Sequence, residues 1–156
     1  MSHETFMRRA IELSKQSLSL QGNGPFGAVI VREGVIVGEG VNQVVTTPDP
    51  TAHAEVVAIR AAAAALNRFD LSGCTLYTSC APCPMCLAAA WWARIETIYY
   101  GAEPEDAAAV GFDDAAFFEQ MRLPAAGRAV PAIGLLRGEA QRVLKAWGEA
   151  EERVLY

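Results

Sequence analysis

The chain has 156 residues, 52% hydrophobic and 20% charged, a balance that fits one compact domain and excludes intrinsic disorder. Thirteen basic against 18 acidic side chains leave a net charge of −5. With no basic stripe to neutralise phosphates, a small substrate is expected rather than a long polyanion. No run approaches the roughly 18 consecutive apolar residues of a membrane span. The opening Met1-Ser-His-Glu-Thr-Phe-Met lacks the regions of a secretory signal, so a cytoplasmic protein is expected.

Residues 4 to 19 carry helical periodicity, with Phe6, Ala10, Leu13 and Ser17 on one face and Ser2 as the N-cap. Gly22-Asn-Gly-Pro breaks that pattern. Phe26–Arg32 and Val35–Val41 are β-branched runs joined by Glu33-Gly34, a hairpin signal. Ala52–Leu66, with alanines at 61 to 65, is the clearest helix. Then follow a strand at Cys74–Ser79, a helix at Pro82–Trp92, a strand at Ile95–Tyr100 and a helix at Asp114–Met121. A last strand is expected at Val130–Leu136 and a last helix from Glu139 to about Arg153. This order predicts an α/β protein, a three-layer sandwich whose five-stranded mixed sheet has helices on both faces. One domain spans 1–156.

Cys74, Cys80, Cys83 and Cys86 lie close together, which in a reducing compartment points to a metal site or reactive thiols before disulfides. Cys83 and Cys86 sit at i, i+3 in the first turn of a predicted helix, where the dipole favours thiolates. His53 opens the other strong helix. Two thiolates and an imidazole suit Zn²⁺, and three protein ligands leave one position for water, the catalytic pattern. Glu55, two residues from His53, is placed to move that water's proton without binding the metal. Cys80-x-x-Cys83-x-x-Cys86 also looks like the opening of an iron–sulfur run, but no fourth cysteine follows Cys86. Cys80 and Cys74 are expected to pack as small hydrophobes. A non-catalytic zinc or binding module stays open as an alternative, with Cys80 as the nearby candidate for a fourth ligand.

His53-Ala-Glu55 with Pro82-Cys83-x-x-Cys86 resembles the zinc-dependent nucleobase and nucleoside deaminases, the cytidine deaminase-like class, whose motif follows this spacing. Asp49-Pro-Thr-Ala-His-Ala-Glu55, Leu76-Tyr-Thr-Ser-Cys80, Trp92-Ala-Arg94 and Gly111-Phe-Asp-Asp114 look most like bacterial guanine deaminases. One departure is Ala81, where the class often has glutamate. The resemblance implies one Zn²⁺ per subunit on His53, Cys83 and Cys86, with an activated water and Glu55 as proton shuttle. It places Phe26, Asn42, Ala54, Trp92, Asp114 and Tyr156 around a purine, with Asp114 also assisting proton transfer. It further implies a homodimer in which a C-terminal segment, roughly 138–156, is swapped so that Tyr156 reaches the partner's pocket.

The implied reaction is hydrolysis of guanine to xanthine and ammonia. Alternatives are a related aminopurine, a guanosine-type nucleoside, an aminotriazine, or the adenosine of a tRNA; the acidic balance argues against the last. From the residues alone, Asn42 would also serve as a turn residue and Asp114 as a helix cap. Phe26 and Trp92 would equally be core residues.

Overall fold

The computed structural model describes residues 2–19 and 22–156. The chain divides into two compact units, one ending at Asp114 and the other running from Ala115 to Tyr156. In the first, α1 (His3–Ser17) is capped by Ser2, whose hydroxyl accepts the Thr5 N–H at 3.3 Å. The predicted face of α1, Phe6, Ala10, Leu13 and Ser17, is buried. Strands β1 (Gly27–Arg32) and β2 (Val35–Val41) form a hairpin around Glu33 and Gly34, both at positive φ (51° and 77°). That geometry matches the right-handed twist of the strands.

The sheet is completed by β3 (Cys74–Cys80) and β4 (Thr97–Ala102) in the order β2-β1-β3-β4. β1 runs antiparallel to β2 and β3, and β3 runs parallel to β4. Alternating side chains divide the two faces. Val29, Val31 and Tyr77 pack with Phe6, Ala10 and Leu13 of α1. Ala28, Ile30, Cys74 and Leu76 pack with alanines of α2 (Ala54–Leu66) and α3 (Pro84–Trp92). Helices therefore cover both faces, as expected of the cytidine deaminase-like class.

Small residues set how α2 lies. Ala54, Ala58 and Ala62 form one stripe, all fully buried, and face Gly38 and Gly40 of β2. A Cβ on Gly40 would collide with the Ala54 carbonyl and sit 2.6 Å from the Ala58 nitrogen. Two glycines thus let the helix backbone rest directly on the strand, and this contact fixes where its first turn points.

Three elements differ from expectation. A short helix, α4 (Pro104–Ala109), opens with a reciprocal capping box between Glu103 and Asp106. The second unit holds α5 (Ala115–Arg122), a 3₁₀ turn at Ala125–Gly127 and α6 (Arg137–Glu149). It has no strand: Val130–Leu136 is irregular and exposed, so the sheet of the described residues has four strands rather than five. Pro131 lacks the N–H that a ladder needs and Gly134 weakens a strand interior, which the β-branched neighbours do not offset. The other boundaries moved by one to a few residues.

Candidate metal centre and active site

Two helix N-termini converge to make the site. Asp49 shapes the approach to α2, its Oδ1 accepting the Thr51 N–H (2.8 Å) and hydroxyl (2.6 Å). Gln43 N–H donates to the Ala52 carbonyl at 2.9 Å, and His53 becomes the N-cap residue of α2 in extended conformation. At α3, Cys83 is the N-cap residue, Pro84 follows it, and Cys86 lies within the first turn. The Ala81 N–H holds the loop before α3 to the Ala102 carbonyl at 2.9 Å. Both positive helix ends face the same point, a favourable setting for thiolates.

His53 Nδ1 lies 3.6 Å from Cys83 Sγ and 3.5 Å from Cys86 Sγ. A tetrahedral zinc with Zn–N and Zn–S bonds of about 2.05 and 2.3 Å would separate nitrogen and sulfur by about 3.55 Å. The donor set and its spacing therefore fit zinc. Electrostatics agrees. The two sulfurs share one proton: a hydrogen bond from the Cys86 thiol draws Cys83 down to about 4, while Cys83 and burial drive Cys86 far above the ordinary thiol range. The hydrogen bond with Cys83 raises His53. A buried Cys86 sulfur and a half-buried Cys83 sulfur beside a carboxylate call for a cation.

Glu55, in the first turn of α2, is 6% exposed. Its Oε1 accepts the Thr78 hydroxyl at 3.3 Å and its Oε2 lies 3.4 Å from Cys86 Sγ. Burial pushes its carboxyl above the usual range. Cys80 stands outside the ligand cluster, its thiol directed to the Glu103 carbonyl at 3.8 Å. The clustered sulfurs are thus the two predicted, and the iron–sulfur arrangement is not formed. Cys74 packs in the core as a small hydrophobe.

The family model for the cytidine and deoxycytidylate deaminase zinc-binding region matches residues 1–102. The chain belongs to this deaminase family. The deaminase is 48% identical to the guanine deaminase of Bacillus subtilis (strain 168) over 147 residues, 94% of each chain. The X-ray structure of a Bacillus subtilis guanine deaminase superposes with a TM-score of 0.96 at 46% identity, covering 100% of this chain and 99% of that one. A tRNA-specific adenosine deaminase of Aquifex aeolicus is 41% identical over 102 residues, 65% of this chain and 67% of that one.

Of the other candidate residues of the deaminase, Asn42 is buried just after β2. Its N–H donates to the Phe26 carbonyl (3.1 Å) and its Oδ1 accepts the Val44 N–H (3.2 Å). Phe26 is half-buried and meets Phe112 edge to face at 4.9 Å. Ala54 follows His53 and is fully buried. Asp114 is half-buried: burial and then the charge of Cys83 raise its carboxyl, against a lowering by His53. Trp92 is a different matter. It ends α3, about 9 Å along the helix from Cys86, is 64% exposed and carries Arg94 over its ring at 5.9 Å. Tyr156 lies in the second unit and is exposed. Phe112 and Thr78 are the neighbours that the sequence reading missed. Thr78 carried a signal, a hydroxyl in the register of Cys74 and Leu76 on β3, and Phe112 lay within the Gly111-Phe-Asp-Asp114 block, though nothing local paired it with Phe26.

Proposed function

We propose that the deaminase hydrolyses guanine to xanthine and ammonia, acting as a homodimer in the cytoplasm. The observation that carries this reading is the buried Glu55 carboxylate, which lies against one of three convergent ligands without being one of them. Likeness to a guanine deaminase along nearly the whole chain favours that purine. When bound by His53, Cys83 and Cys86, zinc supplies the Lewis acidity that makes water nucleophilic near neutral pH.

The remaining work belongs to side chains. Phe26 stacks on the purine and Ala54 lines the pocket beside His53. Asn42 has its Oδ1 already engaged by Val44, so its Nδ2 hydrogens serve the O6 and N7 acceptors of the ring. This holds C2 within about 3–3.5 Å of the attacking water. Glu55 takes a proton from that water and delivers it to N3 as the C2–O bond forms. It then moves the hydroxyl proton to the amino group, the C2–N bond breaks, and ammonia leaves xanthine behind. Asp114 accepts from the departing amine and assists this transfer.

Trp92 and Tyr156 complete the pocket wall in the homodimer, with Tyr156 carried across on the swapped segment at about 138–156. The second unit supports the dimer: none of its described residues is buried, and Val130, Ile133, Leu135, Val143 and Leu144 are exposed. A 42-residue unit (115–156) lies near the lower limit of what folds unaided. Among the described residues no helix is long and apolar enough to cross a membrane, and the thiolate ligands suit a reducing compartment.

Zinc-loaded protein should release ammonia from guanine, and far less from guanosine, adenine, cytosine or a tRNA anticodon stem-loop. Glu55→Gln should keep one zinc per chain and lose about 10²–10⁴-fold in turnover. Absence of ammonia from guanine overturns the substrate; turnover of the stem-loop selects the tRNA reading instead.

A further inference from the structure

Strand β3 lies inside the sheet, and Cys74 and Leu76 on its α2-facing side are core residues. Thr78 continues that register and is 1% exposed. A hydroxyl so placed is costly unless it is hydrogen-bonded. Valine would fill the space with nearly the same shape and no such requirement. The partner of the Thr78 hydroxyl is Glu55 Oε1, at 3.3 Å, with both side chains buried. The other carboxylate oxygen, Oε2, is turned to Cys86 Sγ. The carboxylate is therefore divided: one oxygen is pinned to a central strand and the other faces the sulfurs.

We infer that Thr78 is a positioning residue that fixes the rotation of the Glu55 carboxylate, so that Oε2 alone is presented to the reacting water. Without the hydroxyl, the carboxylate keeps only its own backbone N–H and the Cys86 contact, both from the helices, and nothing from the sheet distinguishes Oε1 from Oε2. An orienting contact of this kind acts on the chemical step more than on purine binding, because Thr78 lies behind Glu55. Its catalytic consequence rests on the proposed deamination; the Thr78–Glu55 coupling does not.

The experiment compares Thr78→Val, Thr78→Ser, Glu55→Ala and the Thr78→Val/Glu55→Ala double variant in full-length, zinc-loaded protein. Thr78→Val should lower kcat on guanine by about 10–100-fold, with KM changed by less than about twofold. Thr78→Ser should restore most of kcat. Zinc content should remain one per chain in all four. Thermal unfolding supplies a readout that needs no substrate: Thr78→Val should lower Tm by about 2–4 °C when Glu55 is present and not when residue 55 is alanine.

Unchanged kcat in Thr78→Val overturns the inference, as does Thr78→Ser as impaired as Thr78→Val. So does loss of zinc in Thr78→Val, or an equal Tm shift in both backgrounds. Should guanine fail as substrate while another base of the panel is turned over, the substrate reading falls and the same kcat comparison on that base decides the role of Thr78. Should no base react, the thermal cycle decides it.

Discussion

Gly40→Ala tests whether the seat of α2 on β2 governs the active site. The added Cβ would meet the Ala54 carbonyl and the Ala58 nitrogen, both backbone, so no flexible side chain can yield. The helix would have to retreat by about 1 Å, an overpacking strain of about 1–3 kcal/mol. At about 2–4 °C per kcal/mol for a chain of this size, Tm should fall by roughly 2–12 °C. The same displacement moves His53 and Glu55, which sit at the first turn of that helix. A shift of about 1 Å in such groups costs on the order of 10²-fold in rate.

Gly34→Ala is the control. Gly34 sits in the hairpin turn at φ 77° with open space around its missing Cβ. An alanine there carries about 1–2 kcal/mol of backbone strain far from the site. Calorimetry and ammonia release on both variants should separate them: Gly34→Ala loses stability alone, and Gly40→Ala loses stability and turnover together. Wild-type turnover in Gly40→Ala, or a loss no larger than that of Gly34→Ala, would refute the argument.

Chelation should leave Cys83, held near 4 by the Cys86 thiol, as a thiolate from pH 5 upward. Peptide mapping should then show it alkylated at pH 6 and protected after zinc is returned, whereas reaction beginning only above pH 8 would contradict the shared-proton picture. Arg9 grips Glu39 with two 2.7 Å bonds, and this pairing lowers the Glu39 carboxyl below its usual 4.5. A lowered carboxyl adds stability that is fully present above that value and lost as pH falls through the lowered one. Because the pair is about a third exposed, Glu39→Gln should cost no more than about 1 kcal/mol at pH 7. The difference in Tm should shrink as pH falls below about 4.5 and through the lowered value, and a difference that grows on acidification would be the wrong sign. Asn42→Ala, which removes the Nδ2 donors, should lower kcat/KM for guanine about 10–100-fold, mostly through KM. An effect confined to kcat would remove Asn42 from purine binding.

The two sulfurs at i, i+3 and the His53-Ala-Glu55 triplet were each legible as local patterns. Ligand chemistry and the deaminase motif, not nearness in the chain, joined them across 30 residues. The hairpin was legible as a local pattern too, since Glu33-Gly34 states its own turn geometry. Proximity across strands was not. Thr78 and Glu55 stand 23 residues apart and meet only because Gly40 lets α2 settle on the sheet. Helix α4 did announce itself, with Pro104 at the first position and acids around it, but six residues carry too little periodicity to be noticed.

The expected strand at Val130–Leu136 marks where local reasoning stops. A strand exists only through the partner that completes its ladder, and β-branched residues promise a fit without naming what they fit. Here Pro131 and Gly134 weaken the segment, and its apolar side chains remain exposed, as do those of α6. Apolar residues that recur with helical or strand spacing yet face water in one chain specify a surface that the chain alone does not cover. On the proposed reading, a second copy covers it. Shielding of Val143 and Leu144 from solvent labelling should then appear and vanish together with the dimer on dilution, and a truncation at residue 137, which removes both, should abolish the dimer. Full labelling of both residues in a protein that sediments as a dimer would mean that the two copies meet elsewhere.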